Sequence, residues 1–289
     1  MRPYNLTKRG FNLWLKMLFR ASIPPVERLI PCLKEEKKDT MSKDLAVLLQ
    51  GWDYNSNEVT VRRIVGADGR DKIQMRLDLG VLQMEVSGRP DGKRPHEFES
   101  LLEYQLVQKE NAENASDWNS WSLDGEACAD LKQEAMQYYY RYLSLFHLGD
   151  YDEVIRDTAR NIQVFDLIRD YAEDEGDRLS LEQFRPYVLM MNARARACLA
   201  LEDKRYDRAM EIIEDGIESI RDFFRDVERE DLAESCREIQ FLEEWRGRIE
   251  DNRPLTTADR IRRELSIAVA SEDYERAAEL RDQLRAIVA

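Results

Sequence analysis

Asp203-Lys204-Arg205-Tyr206-Asp207-Arg208-Ala209-Met210-Glu211 decides how this chain folds. It joins two long stretches with helical apolar spacing. A tyrosine at the start of the second helix plugs the gap between the two, and Ala209, three residues on, lets the backbones approach closely. Leu148-Gly149-Asp150-Tyr151-Asp152-Glu153-Val154-Ile155 is a second bend of the same kind, with Val154 where the small residue stands in the first. From 130 to 250, glycine and proline are confined to Gly149, Gly176, Pro186, Gly216 and Gly247. The spacing predicts helices near 128–147, 152–174, 180–201, 204–226 and 229–249. Connections this short force antiparallel neighbours, as in a bundle or solenoid.

Both bends resemble those of tetratricopeptide repeats. Their tyrosines are 55 residues apart rather than the 34 of a regular array, so the resemblance implies repeat-like hairpins with enlarged helices. An unrelated helical bundle is the alternative. Upstream, residues 43–113 read as a small α+β unit. Val59-Thr60-Val61-Arg62-Arg63-Ile64-Val65 is rich in β-branched residues and ends in the turn signal Gly66-Ala67-Asp68-Gly69. Ile73, Met75, Leu77 and Leu79 alternate with polar residues, and the apolar set then slips to Leu82, Met84 and Val86, so Gly80 marks a bulge, bend or tight turn. So few strands are unstable alone, and the sheet is expected to pack on a neighbouring helix. Phe98, Leu101, Leu102 and Leu106 carry helical spacing. Residues 114–127 read as a polar linker whose Trp118 and Trp121 dock on the next unit, and 128–250 as the helical domain.

The C-terminal residues 254–289 read as a helical hairpin. Thr256-Thr257-Ala258-Asp259 starts its first helix as a capping-box variant. Ile261, Leu265, Ala268 and Val269 form one stripe, Ser271-Glu272-Asp273 the turn, and Ala277, Leu280, Leu284 and Ile287 a coiled-coil-like seam on the second helix. A hairpin of about 30 residues is too small to bury both faces, so the stripe is expected to meet the body, a second copy or another protein. The segment Tyr274-Glu275-Arg276-Ala277-Ala278-Glu279-Leu280-Arg281-Asp282-Gln283-Leu284 resembles the UVR motif, named for the B and C subunits of the bacterial excision-repair nuclease. The motif's aromatic, double alanine, Arg-Asp pair and following hydrophobic fall on Tyr274, Ala277-Ala278, Arg281-Asp282 and Leu284. Tyrosine stands where phenylalanine is commoner. The resemblance implies a module that pairs proteins and performs no chemistry. In its relatives it joins repair-nuclease subunits and also occurs in Clp-type chaperone-protease ATPases. A third repeat-like bend is the competing reading.

The resemblance therefore implies partner-binding residues Ile261, Leu265, Val269, Tyr274, Ala277, Ala278, Leu280, Arg281, Asp282 and Leu284. The implied partner is an excision-nuclease subunit, a Clp-type ATPase or a second copy. Arg281, Asp282 and Arg285 would set its orientation. No catalytic residue, metal ligand or cofactor is expected. Cys32, Cys128, Cys198 and Cys236 lack zinc or disulfide spacing and read as reduced cytoplasmic thiols. His96 and His147 have no partner for catalysis, His147 reading as a helix-end complement to the dipole. The acidic run 170–177 lacks a calcium-loop pattern and reads as a solvated loop. An enzyme with its site near Trp52-Asp53-Tyr54 or Arg89-Pro90-Asp91 is the alternative from a different class.

The net charge is −14, of which residues 1–40 contribute +5, leaving −19 on the remainder. Direct nucleic-acid binding is therefore not expected. The apolar run at 11–19 is too short to span a membrane, and Lys16 interrupts it. Residues 1–42 form a basic extension, and Met41-Ser42-Lys43-Asp44 reads as an ordinary cytoplasmic start, so the native chain is expected to begin at Met41. The fold class is thus mainly α: a small N-terminal α+β unit, a repeat-like antiparallel helical scaffold and a C-terminal helical hairpin.

Overall fold

The computed structural model describes residues 44–115, 121–254 and 257–288. The expectations about residues 1–42 and about Trp118 lie outside these. A short helix α1 (Leu45–Leu49) precedes three antiparallel strands in the order β1 (Val61–Val65), β2 (Asp71–Leu77) and β3 (Gly80–Glu85). The pairs Val61↔Met75, Met75↔Leu82 and Ile73↔Met84 put these apolar side chains on one face. Leu77 pairs with Gly80, so Gly80 opens β3 after a two-residue turn, Asp78-Leu79. That corrects Leu79: it is not an inward residue of β2 but lies at the turn tip, 89% exposed. The opposite face is polar, with Arg62 stacked on the Trp52 ring at 3.9 Å and bonded through Nε to Gln74 at 2.8 Å.

Helix α2 (Leu101–Asn114) starts at Ser100, whose hydroxyl accepts the Glu103 N–H. The sheet's apolar face packs chiefly on the next helix, α3 (Gly125–Leu148). Ile73, Met75 and Met84 join Tyr139, Tyr142 and Leu143 in one cluster, and each fully buried aliphatic contributes about 1.5–3 kcal/mol. The segment before α3 also contributes to the core. Leu123 is 1% exposed and bridges to Ala172, and Trp121 meets the Tyr171 ring edge-on at 5.2 Å.

Helices α4 (Tyr151–Tyr171), α6 (Arg185–Glu202), α7 (Tyr206–Asp226) and α9 (Arg237–Asn252) follow, with short helices α5 (Glu175–Leu179) and α8 (Glu230–Ala233) between them. Each long helix packs on its predecessor, from α3 on α4 through α4 on α6 and α6 on α7 to α7 on α9. The helix expected at 180–201 is broken. Asp174 caps α5, a 3-10 turn covers Glu182–Phe184, and Pro186 in the first turn of α6, where its missing N–H costs nothing, fixes where α6 begins. The helix expected at 229–249 is likewise two, α8 and α9. In α7, Ala209, Ile212, Ile213, Gly216, Ile217, Ile220 and Phe224 are buried at i, i+3, i+4 spacing. Tyr138, Tyr139 and Tyr142 are buried and Tyr140 is half-buried, because α3 is covered from several sides.

Candidate functional site: the C-terminal hairpin

Helix α10 (Thr257–Ala270) and helix α11 (Tyr274–Val288) pack against each other across a tight bend. At the bend Glu272 has φ 59°, in the left-handed region. The Asp273 N–H returns to the Ala268 carbonyl at 2.9 Å and the Glu272 N–H to the Val269 carbonyl at 3.1 Å. This pair of bonds is a Schellman C-cap. Asp273 then caps α11, its carboxylate accepting the Arg276 N–H at 3.1 Å.

Both body bends are built alike. Gly149 (φ 82°) and Lys204 (φ 59°) take the left-handed place, the N–H of Asp150 reaches the Leu145 carbonyl and that of Arg205 the Ala200 carbonyl. A tyrosine follows two residues after the left-handed one in each case: Tyr151, Tyr206 and Tyr274. Three residues further on, Val154, Ala209 and Ala277 are buried. Only at Gly149 does the sequence advertise the positive φ. Lys204 and Glu272 were not recognisable as such from their residue type.

The three bends differ in what covers the tyrosine. Tyr151 and Tyr206 are half-buried against the body's core, whereas Tyr274 is 69% exposed. The hairpin has its own small cluster of Ile261, Ala268, Ala277 and Leu280, with Leu265 and Leu284 packed against it. The stripe was expected to meet the body, a second copy or another protein; instead, these residues face each other across the hairpin, and Leu280 is 1% exposed. Two facing helices, each with one narrow stripe, close on each other without a third element. Val269 was expected in that stripe but lies outside it, 53% exposed, as does Ile267 at 61%. Ala278 is half-buried. The Ile287 side chain lies outside what the structure describes.

The charged residues stand in solvent. Arg281 and Asp282 pair with each other at 2.9 Å, Arg276 reaches Glu264 on the other helix at 3.5 Å, and Arg285 is exposed. Such pairs contribute about 0–1 kcal/mol each to stability, so they add little to holding the hairpin together. Among the described residues no group of His, Cys, Asp and Glu side chains is arranged to hold a metal ion. His96 stacks on Tyr104 at 4.1 Å, and His147 lies in the last turn of α3. Burial pushes the Cys128 and Cys236 thiols up to about 11, and no helix of the described residues is long and apolar enough to cross a membrane.

The family model of the UvrB/uvrC motif matches residues 258–289, which is this hairpin. No curated protein and no solved structure matches the chain.

Proposed function

We propose that this chain is a non-catalytic, cytoplasmic protein–protein adaptor. Its C-terminal hairpin docks a hairpin-bearing partner, and that partner is a subunit of the excision-repair nuclease. The observation that carries the reading is the exposed apolar set Ile267, Val269 and Tyr274 on a hairpin whose own seam is already closed. In the body, the equivalent tyrosines are covered by packed helices. A partner helix laid against Tyr274 would supply for the hairpin what the body supplies for Tyr151 and Tyr206. The UvrB/uvrC motif match supports a pairing module at this position.

The mechanism differs from burial of the seam itself. Leu280, Ala277 and Ile261 hold the two helices together and so leave Tyr274 exposed at the bend, while Arg281, Asp282 and Arg285 set which charge pattern fits beside it. Aromatic anchors typically dominate such interfaces. Tyr274→Ala should therefore weaken binding to the purified nuclease subunit about tenfold, roughly 1.4 kcal/mol, with the hairpin's helicity unchanged. Titration of the subunit against native chain and variant reads this directly, and equal affinity for the two would reject the docking face.

A further inference from the structure

Between the loop that follows β3 and helices α3 and α4 lies a cleft of about 600 Å³. Seven cationic side chains line it, against four carboxylates, those of Glu85, Glu99, Glu103 and Asp157. Cations therefore outnumber carboxylates among the lining side chains, while Glu134, Glu153 and Asp91 stand behind them as partners of Arg160, Arg156 and Arg89. Arg89, Lys93 and Arg94 come from the loop, Arg141 from α3, and Arg156 and Arg160 from α4. These residues are far apart in sequence, and only the packing of loop on helices brings them together.

The site is built from the inside. Arg141 is fully buried and grips Asp157 with two bonds of 2.7 and 2.8 Å, while its Nη1 donates to the Gly88 carbonyl at 2.7 Å and so ties the loop to the helix. Asp157 is shared with Arg156. Glu134, also fully buried, is shared by Arg89 at 3.2 Å and by Arg160. Two buried carboxylates thus serve four arginines, with Glu153 taking part of the charge of Arg156. Among the described residues the buried Nε of Arg160 has no hydrogen-bond acceptor, and that of Arg89 lies 3.2 Å from Glu134 and 3.4 Å from Asp91 without alignment to either. Gly88 and Gly92, at φ 66° and 72°, fold the loop back, and the Glu85 N–H bonds the Pro90 carbonyl at 2.8 Å. At the rim, among the described residues, the exposed Lys93 ammonium makes no ion pair, and Arg94 donates to the Glu97 carbonyl at 3.2 Å.

We propose that this cleft binds a compact phosphate-bearing anion of small-molecule size. Guanidinium forks match phosphate oxygens in pairs, and a converging set of them with a lysine at the mouth is what such a group requires. The volume falls within the range of small-molecule sites, on the order of 300–1,000 Å³. A long polyanion is disfavoured, because beyond the cleft the acidic body repels it. Base stacking is disfavoured too: the Tyr138 ring already carries the Arg160 guanidinium at 3.8 Å and that of Arg141 at 4.7 Å. Binding at this site does not depend on the hairpin, so the two readings stand or fall separately.

The test is calorimetric titration of the full chain with inorganic pyrophosphate at low ionic strength, with sodium chloride matched in ionic strength as the control. The native chain should bind saturably, and Lys93→Glu/Arg94→Glu should bind at least tenfold more weakly. Both changed residues are exposed, and circular dichroism checks that the variant keeps the native fold. The single change Lys93→Glu repeats the comparison with every arginine of the cleft intact, and should also weaken binding. No binding by the native chain, or equal binding by the variants, would overturn the proposal. Tighter binding of a single-stranded oligonucleotide than of pyrophosphate would overturn it as well, in favour of a nucleic-acid surface.

Discussion

A Cβ at Gly216 would lie 2.5 Å from the Cβ of Ala193, so α6 and α7 approach there as closely as their backbones allow. Alanine exceeds glycine in helix propensity by about 1 kcal/mol. Overpacking a tight contact costs about 1–3 kcal/mol, and here the colliding atom is fixed to a backbone and is not the end of a flexible chain. The steric effect wins: Gly216→Ala should lower stability by about 1–2 kcal/mol, seen as a lower urea midpoint, and a raised midpoint would contradict the packing. Arg141 and Asp157 present a different balance. Removing one partner of a buried pair strands the other charge, so Asp157→Ala should cost about 3–5 kcal/mol, and the paired replacement Arg141→Met/Asp157→Leu much less. Denaturant melts of the three chains would reveal any departure from that order. Neither prediction was legible in the sequence. Gly216 stood out only as a rare glycine in a helical region, and nothing local couples Arg141 to Asp157 or Arg89 to Glu134, since charges this far apart along the chain meet only through tertiary packing.

The helical bends were legible because a tyrosine followed three residues on by an inward-packing apolar residue, Ala209 in one bend and Val154 in the other, has a steric cause that acts within nine residues. Their left-handed residues were not, except at Gly149, because Lys204 and Glu272 carry no glycine signature. The hairpin's stripe was also legible, but its destination was mistaken: pattern specifies that a face is buried, not against what. The mistake changes what a substitution does. Leu280→Asp places a charge inside the hairpin cluster, where removal of the leucine alone costs about 2–5 kcal/mol. Helices of 14 and 15 residues are marginal alone, so this variant should melt the hairpin while the body stays folded. Backbone amide exchange resolves the two parts: protection should vanish from 257–288 and persist in α3 to α7. Retained protection in the hairpin would show that Leu280 is not its keystone. The strand pair was read with the right alternation and the wrong end, since a turn with no glycine at either of its two residues, Asp78 and Leu79, looks like more strand.

Across the whole molecule, the fold class was legible because long glycine-poor stretches with helical spacing leave little else possible. The sheet was expected to need a helix, and its partner is α3, across a segment read as a linker. Ile73, Met75 and Met84 therefore share a core with the helical scaffold. The hairpin's cluster, by contrast, is separate and small, and Ile267, Val269 and Tyr274 outside it are exposed. That contrast underlies the central claim, that the body is a scaffold and the hairpin its docking end. The most direct test is a pull-down of the purified B and C subunits of the excision-repair nuclease, using the intact chain and one truncated after Asn252. The account predicts capture of a subunit by the intact chain and none by the truncated one. Equal capture by both, or capture by neither, would contradict it.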